Sequence, residues 1–161
     1  MKGKWAEGIE PRNFVWVIKD SLAICERPGG YGEHHRRVRR QEEIIWVRQQ
    51  HFDVLYSLIS GSHNLHNYQE LGMPFRHRPW PAHDQLAQYM EVLFTEIQSA
   101  MNAGLQVLLH KEEVGERLCG LMAAYLLWAG MVPTGPQVTA LAERIFQQRL
   151  GPHGRELGEI A

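Results

Sequence analysis

Two short, nearly continuous apolar runs, at residues 53–59 and 105–110, constrain the fold of this chain more than any other feature. Such runs are typical of strands that are buried on both faces of a sheet. Between them lies the strongest helical period in the chain, an apolar stripe spaced i, i+3, i+4, i+7, i+8 and i+11. Its members are Leu86, Tyr89, Met90, Leu93, Phe94 and Ile97. Strands that alternate with amphipathic helices indicate the α/β class.

The remaining patterns extend this alternation along the chain. Further β-prone runs predict a hairpin or two paired strands at 14–18 and 22–25, and a short strand at 75–78. Helices are predicted over about 33–51, 63–71, 84–104 and 117–128, and a last amphipathic helix from Pro136 onward. We therefore expect a loose segment at 1–12 and a single domain at 13–161. Its centre is predicted to be a mixed, mostly parallel sheet of about five strands, flanked by helices.

Composition excludes several classes of protein. The chain has 161 residues, of which 44% are hydrophobic, and this suffices for one full core. Its net charge of -1 produces no overall field that favours nucleic acid or an anionic membrane. No apolar run reaches the roughly 18 residues of a membrane span, and the N-terminus lacks the apolar core of a signal peptide, so we expect a cytoplasmic protein. Cys25 and Cys119 are too few for a disulfide scaffold and lack CxxC spacing.

The apolar run at 105–110 leads into a charged loop and then into a predicted helix. A loop between a buried strand and a helix N-terminus forms an anion site, because its backbone N–H groups converge on one point. The sequence of this unit is His110-Lys111-Glu112-Glu113-Val114-Gly115-Glu116-Arg117.

This spacing resembles the signature loop of the cysteine-dependent protein tyrosine and dual-specificity phosphatases, which reads His-Cys, five residues, Arg. In addition, Trp80-Pro81-Ala82-His83 is similar to the Trp-Pro-Asp-His of that family's acid loop, and the likeness extends over roughly 13–150. The resemblance implies the fold of the small dual-specificity members. It also implies an anion site at Lys111, Gly115 and Arg117, with His110 orienting the loop.

The sequence departs from the family at the positions that carry its chemistry. In the family, a low-pKa thiolate attacks phosphorus, an Arg clamps the transferred oxygens and an Asp protonates the leaving group. Here Lys111 stands in the place of the cysteine, and Ala82 stands in the place of the acid. Asp84 would substitute for that acid only if the loop were shifted. We therefore expect no catalytic residues at these positions, and the chain is interpreted as a pseudophosphatase.

Three glutamates, Glu112, Glu113 and Glu116, also make the loop a poor host for a phosphomonoester. Like charges 5 Å apart repel by roughly 3 kcal/mol at an effective dielectric near 20. A buried ammonium at Lys111 needs an anion nearby, and three arrangements remain open. A loop glutamate fills the site from within, or Lys111 and Arg117 hold an external phosphate or carboxylate without turnover. The third is an amine nucleophile, which needs a lowered pKa that the glutamates oppose.

The function expected from these features is a binding or regulatory module for another protein, with a phosphorylated or acidic ligand as its specific form. The alternative is a phosphate-ester hydrolase with a non-cysteine mechanism at the same loop. Trp80, between two prolines, is a candidate partner contact. A second candidate surface is the basic cluster of the first helix, which comprises Arg36, Arg37 and Arg40.

Other residue types receive structural interpretations. Because no aromatic residues interleave with the arginines, nucleic acid is not expected as a partner.

Arg39 and Glu43 are spaced for a surface ion pair along one helix. Both cysteines are expected to pack as small apolar side chains, and the nine histidines do not predict a metal site from their spacing. We expect no cofactor.

Overall fold

The computed structural model describes residues 8–30, 37–62 and 65–160, and for Arg37 it describes the backbone alone. The strands of these ranges are β1 (Val15–Ile18), β2 (Leu22–Glu26), β3 (Val54–Ser57), β4 (Phe75–His77) and β5 (Val107–Lys111). The helices are α1 (Arg37–Gln49), α2 (Leu65–Glu70), α3 (Leu86–Asn102), α4 (Glu116–Trp128), α5 (Gly135–Phe146) and α6 (Pro152–Ile160). A 3-10 turn, His83–Gln85, precedes α3.

The strands form one sheet in the order β1-β2-β5-β3-β4. Strand β1 pairs antiparallel with β2, and the other three pairings are parallel. The predicted mixed, mostly parallel sheet of five strands is therefore confirmed. Strand β5 is central, and His110 has Cys25 of β2 and Ser57 of β3 as its neighbours in register. The loop that follows β5 thus leaves the middle of the sheet at its carboxyl edge.

Helices cover both faces of the sheet, as the continuous apolar strands require. Alternate residues of β5 point to opposite faces, so Leu109 packs in the layer under α3 and α4, while Leu108 packs in the layer under α1 and α2. The stripe predicted for α3 is buried except for Tyr89, which is half-buried. Within the described ranges, no helix combines the length and the apolar character that crossing a membrane requires.

Helix α6 is the element that the sequence analysis missed, since it predicted α5 as the last helix. The helix packs on α4 where two glycines meet: a Cβ placed on Gly120 would lie 2.5 Å from the Cα of Gly154. Because neither residue carries a side chain, the two backbones approach closely. The available sequence signal was Pro152, the first residue of α6, since proline is favoured at that position.

The predicted loose segment at 1–12 falls mostly on residues outside the described ranges. Its described part, residues 8–12, lies against α1 and β2. The backbone N–H of Ile9 donates to the carbonyl of Glu42 at 3.1 Å, and that of Glu26 donates to the carbonyl of Arg12 at 3.0 Å. These two bonds connect the segment to the edge of the domain.

Candidate functional site

The loop between β5 and α4 surrounds a cavity of about 230 Å³. The cavity is lined by Lys111, Glu113, Gly115, Glu116, Arg117 and Leu118. Gly115 has extended backbone angles and precedes the first residue of α4, and its carbonyl accepts a hydrogen bond from the N–H of Cys119 at 3.0 Å. The fold therefore places the three anion-site residues expected from the sequence on one cavity wall.

Lys111 extends from the end of β5 towards residues 79–84, here called the Trp80 loop, and only 15% of its side chain is exposed. Its Nζ lies 4.4 Å from the centre of the Trp80 ring and 3.8 Å from Oε2 of Glu112, whose side chain is 43% exposed. A cation over an aromatic face gains about 0.5–2 kcal/mol, and an exposed ion pair gains about 0–1 kcal/mol. The ammonium is thus held by an aromatic ring and one loose carboxylate contact.

Burial lowers the pKa of the Lys111 amine below its ordinary value. The Arg117 guanidinium acts in the same direction, while Glu112 and Glu113 act against it. Desolvation exceeds the influence of the glutamates because the amine lies between the Trp80 ring and the loop. The sequence alone suggested the opposite balance.

Glu116 lines the same cavity as Lys111 and Arg117, but its carboxylate also reaches α6. Its Oε1 accepts a hydrogen bond from the backbone N–H of Gly154 at 2.9 Å, in the first turn of that helix. A carboxylate there satisfies a free N–H group and interacts favourably with the helix dipole. One of the three carboxylates expected to repel a phosphate is therefore hydrogen-bonded to α6.

Arg117, at the start of α4, is exposed, and its guanidinium makes no hydrogen bond or ion pair with another described residue. Its side chain also lines a second cavity of about 100 Å³, between the Trp80 loop and α6. The other residues around that cavity are Trp80, Pro81, His83, Leu86, His153, Glu156 and Leu157. An arginine keeps its charge at all ordinary pH values, so this guanidinium is available to an anionic ligand.

His110 is fully buried at the start of the loop, with both ring nitrogens in polar contacts. Nδ1 lies 3.2 Å from the carbonyl of Lys111, and Nε2 lies 3.1 Å from the hydroxyl of Tyr68. Because a carbonyl can only accept, Nδ1 carries the proton and Tyr68 donates to Nε2. Burial lowers the pKa of His110 to about 4, so the ring is neutral at neutral pH. Nothing in the sequence pointed to Tyr68 as its partner.

The Trp80 loop is fixed at both ends. On one side, the N–H of Trp80 donates to the carbonyl of Leu58 at 3.1 Å. On the other, Nε2 of His83 lies 2.5 Å from Oε1 of Glu156 on α6. Ala82 and Asp84 are both exposed, and neither lines the two cavities described above. The structure therefore does not bring Asp84 to the loop as a substitute acid.

Of the basic cluster expected on α1, the structure describes the side chain of Arg40 alone. Arg36 and the side chain of Arg37 lie outside the described residues, and Arg40 is only 6% exposed. The expectation for Arg40 is wrong because it shares the buried stripe of α1 with Ile44 and Val47. Arg39 pairs with Glu43 at 2.5 Å, as the spacing suggested, but Glu43 is only 1% exposed, so the expectation of a surface pair is wrong.

Neither cysteine offers a reactive thiol. Cys25 and Cys119 are buried, in the layers on opposite faces of the sheet. Burial raises the pKa of Cys119 to about 12 and that of Cys25 well above its ordinary value. Both thiols therefore stay protonated at neutral pH, and the thiolate is the nucleophilic form.

No model of a known protein family matches the chain, and no curated protein matches its sequence. Solved structures do match its fold. Kinase associated phosphatase, with its catalytic-site cysteine replaced by serine, superposes with a TM-score of 0.75 at 16% identity, over 92% of this chain and 93% of that one. Human DUSP28 gives 0.61 at 17% identity, over 94% and 96%. The core of the Saccharomyces cerevisiae PP-IP phosphatase Siw14, in complex with citrate, gives 0.60 at 13%, over 95% and 87%.

At these identities the likeness shows the fold alone. The chain has the α/β fold of the small dual-specificity phosphatases, with a five-stranded, mostly parallel sheet between helices. The fold predicted from the signature-like loop is confirmed.

Proposed function

We propose that this chain is a phosphatase-like binding module that holds an anionic group of a partner protein, a phosphate or a carboxylate, without hydrolysing it. The observation that carries the proposal is the exposed guanidinium of Arg117, which has no partner among the described residues. Arg117 lines both cavities. Lys111 supplies a second cation on the wall of the larger cavity. Both residues line that cavity, which supports a joint role in holding one anion.

The chemistry required for cysteine-dependent hydrolysis lacks its groups. Lys111 stands in the place of a thiolate, and both cysteines are buried with raised pKa values. Ala82 has no proton to give a leaving group, and Asp84 does not line either cavity. An anion held here would therefore meet neither a thiolate nor a positioned acid.

The affinity expected for a bare anion is low. Two charge-assisted contacts of about 1.5–3 kcal/mol each correspond to a dissociation constant near the millimolar range. Glu113 and Glu116 also line the cavity, and their negative charges lower that affinity further. A ligand of useful affinity must add contacts outside the loop, which is why we propose a protein partner rather than a free ion.

The test measures thermal stability against phosphate, sulfate, vanadate and phosphotyrosine, with turnover of an aryl phosphate recorded on the same samples. Binding at ten times the dissociation constant stabilises by about 1.4 kcal/mol, or about 3–5 °C for a chain of this size. Arg117→Ala should abolish the shift. Arg144→Ala, which removes an exposed arginine of α5 outside both cavities, should keep it. Equal shifts in wild type and Arg117→Ala would refute the proposal.

One observation favours the alternative hydrolase, namely the lowered pKa of the Lys111 amine. In that mechanism Nζ attacks phosphorus, and a P–N bond forms as the P–O bond to the alcohol breaks. Water then cleaves the P–N bond and releases phosphate and the amine. This route needs a group to protonate the alkoxide oxygen that leaves as the P–O bond breaks, and no acid of the Trp80 loop lines the cavity. Turnover that disappears in Lys111→Gln would establish it in place of the binding module.

A further inference from the structure

Lys111 combines three features that are absent from Lys19, the other lysine among the described residues. Its amine lines a cavity, a flat indole face lies 4.4 Å from it, and Arg117 lines the same wall. The sequence contains three other lysines, Lys2, Lys4 and Lys19. Lys19 is exposed in the turn between β1 and β2 and lines none of the cavities described above. It is an internal reference for an ordinary surface amine.

Resting on the proposed anion site, we propose that Lys111 captures small phosphorylated aldehydes as imines, with the phosphate of the aldehyde on Arg117. The amine lone pair attacks the carbonyl carbon, a C–N bond forms, and the carbonyl oxygen leaves as water to give C=N. The step is reversible and requires no oxidant or reductant. Imine formation is a general reaction of lysine amines with carbonyl compounds.

The loop does not lock the amine in a tight ion pair. At 3.8 Å, Oε2 of Glu112 lies beyond hydrogen-bond distance of Nζ. Glu116 is engaged by the N–H of Gly154. An incoming carbonyl therefore competes with one exposed carboxylate and with the Trp80 ring, rather than with a buried salt bridge.

The surroundings also shift the amine towards its uncharged, reactive form. Attack on a carbonyl requires the uncharged amine, and burial lowers the pKa of Lys111. Arg117, by its charge, acts in the same direction and at the same time attracts a phosphate. One residue thus serves both requirements of the capture.

The cavity and its walls define the class of ligand. At about 230 Å³ the cavity is smaller than the roughly 300–1,000 Å³ of sites for drug-sized molecules. It suits a small molecule with one phosphate. The Trp80 face beside Nζ suits a planar conjugated imine, which an aromatic aldehyde would form.

The probe is pyridoxal 5′-phosphate, and pyridoxal, which lacks the phosphate, is its matched control. The full chain is incubated with each aldehyde and reduced with borohydride, and the adduct on each lysine is quantified by peptide mass spectrometry. Lys111 should be labelled about tenfold faster than Lys19 by the phosphorylated aldehyde, and inorganic phosphate should compete. With pyridoxal the excess over Lys19 should be much smaller.

Variants separate reactivity from anion binding. Arg117→Ala should lower the preference for the phosphorylated aldehyde by about tenfold. Glu112→Gln should raise the labelling of Lys111 by about twofold to fivefold, because it removes the carboxylate that favours the ammonium form. Lys111→Arg should form no adduct at this position and should still be stabilised by phosphate.

Two results would overturn the inference. Labelling of Lys111 no faster than that of Lys19, in a protein that phosphate still stabilises through Arg117, would refute imine capture and leave the proposed binding function standing. Equal labelling of Lys111 by both aldehydes would show that the phosphate of pyridoxal 5′-phosphate plays no part in the capture. If none of the anions tested above, phosphate included, raises the thermal stability of the wild-type protein, the result would instead refute the proposed function on which this inference rests.

Discussion

Replacing Gly120 by alanine tests whether the contact between α4 and α6 supports the anion site. A Cβ at this position would lie 2.5 Å from the Cα and 2.6 Å from the carbonyl oxygen of Gly154. Both atoms belong to backbone, so no side-chain rotation relieves the overlap, and the helices must separate. Overpacking of this kind costs about 1–3 kcal/mol, and the upper part of that range applies here.

Alanine also favours the helix by about 1 kcal/mol over glycine, which partly offsets the overlap. The net expectation for Gly120→Ala is a loss of about 2 kcal/mol in the free energy of unfolding, or about 4–8 °C in Tm. Gly158→Ala is the matched control, because Gly158 lies in α6 with nothing within 4 Å of its Cβ position. This control should be stabilised by up to about 1 kcal/mol. Denaturant unfolding measures both values.

The same substitution should reach the anion site through Glu116. If α6 moves away, this carboxylate loses the N–H of Gly154 and returns towards Lys111 and Arg117. The added repulsion, about 1–2 kcal/mol after solvent screening, should weaken phosphate binding by roughly tenfold. In the double variant with Glu116→Gln, binding should recover while the stability loss remains. Gly120→Ala with wild-type stability and phosphate affinity would refute the reasoning.

Three further predictions concern contacts around the loop and the Trp80 segment. Tyr68→Phe should cost about 1–3 kcal/mol of stability, because it leaves the buried Nε2 of His110 without a donor. The pKa of His110 is lowered from 6.5 to about 4, so its contribution is complete above pH 6.5 and is lost as pH falls towards 4. This loss amounts to about 3 kcal/mol and should be absent in His110→Gln. Arg78→Ala breaks a partly exposed pair with Glu96, at 2.8 and 2.9 Å, and should cost about 1 kcal/mol or less.

Each of these predictions has a clear counter-result. At neutral pH, denaturant unfolding of Tyr68→Phe should give a lower free energy of unfolding than that of the wild type, and an equal value would contradict the prediction. The pH series compares wild type with His110→Gln, so that the buried carboxyls of Glu26 and Glu43, whose pKa values burial raises, cancel in the difference. If the free energy of unfolding changes with pH by the same amount in the wild type and in His110→Gln between pH 6.5 and 4, the role given to His110 is wrong. A loss above about 2 kcal/mol in Arg78→Ala would show that the pair is more than a surface contact.

Much of the architecture followed from short-range pattern in the sequence. The apolar runs of β3 and β5 and the stripe of α3 record burial directly, because side-chain direction repeats every two residues in a strand and about every 3.6 in a helix. The spacing from His110 to Arg117 likewise identified the loop between β5 and α4, since a strand, a loop and a helix start are contiguous in the chain. These features required no knowledge of distant contacts.

The charge balance of the site was decided by tertiary structure. Counting loop residues placed Glu116 against a phosphate, but its carboxylate is taken up by α6, whose Gly154 lies 38 residues further along the chain. Likewise, the partner of Lys111 is the Trp80 ring rather than a buried glutamate, and desolvation between them lowers the amine's pKa. Burial and long-range packing have no local period. For that reason the sequence by itself determined which residues form the loop, and only the tertiary structure decided which groups their charged side chains contact.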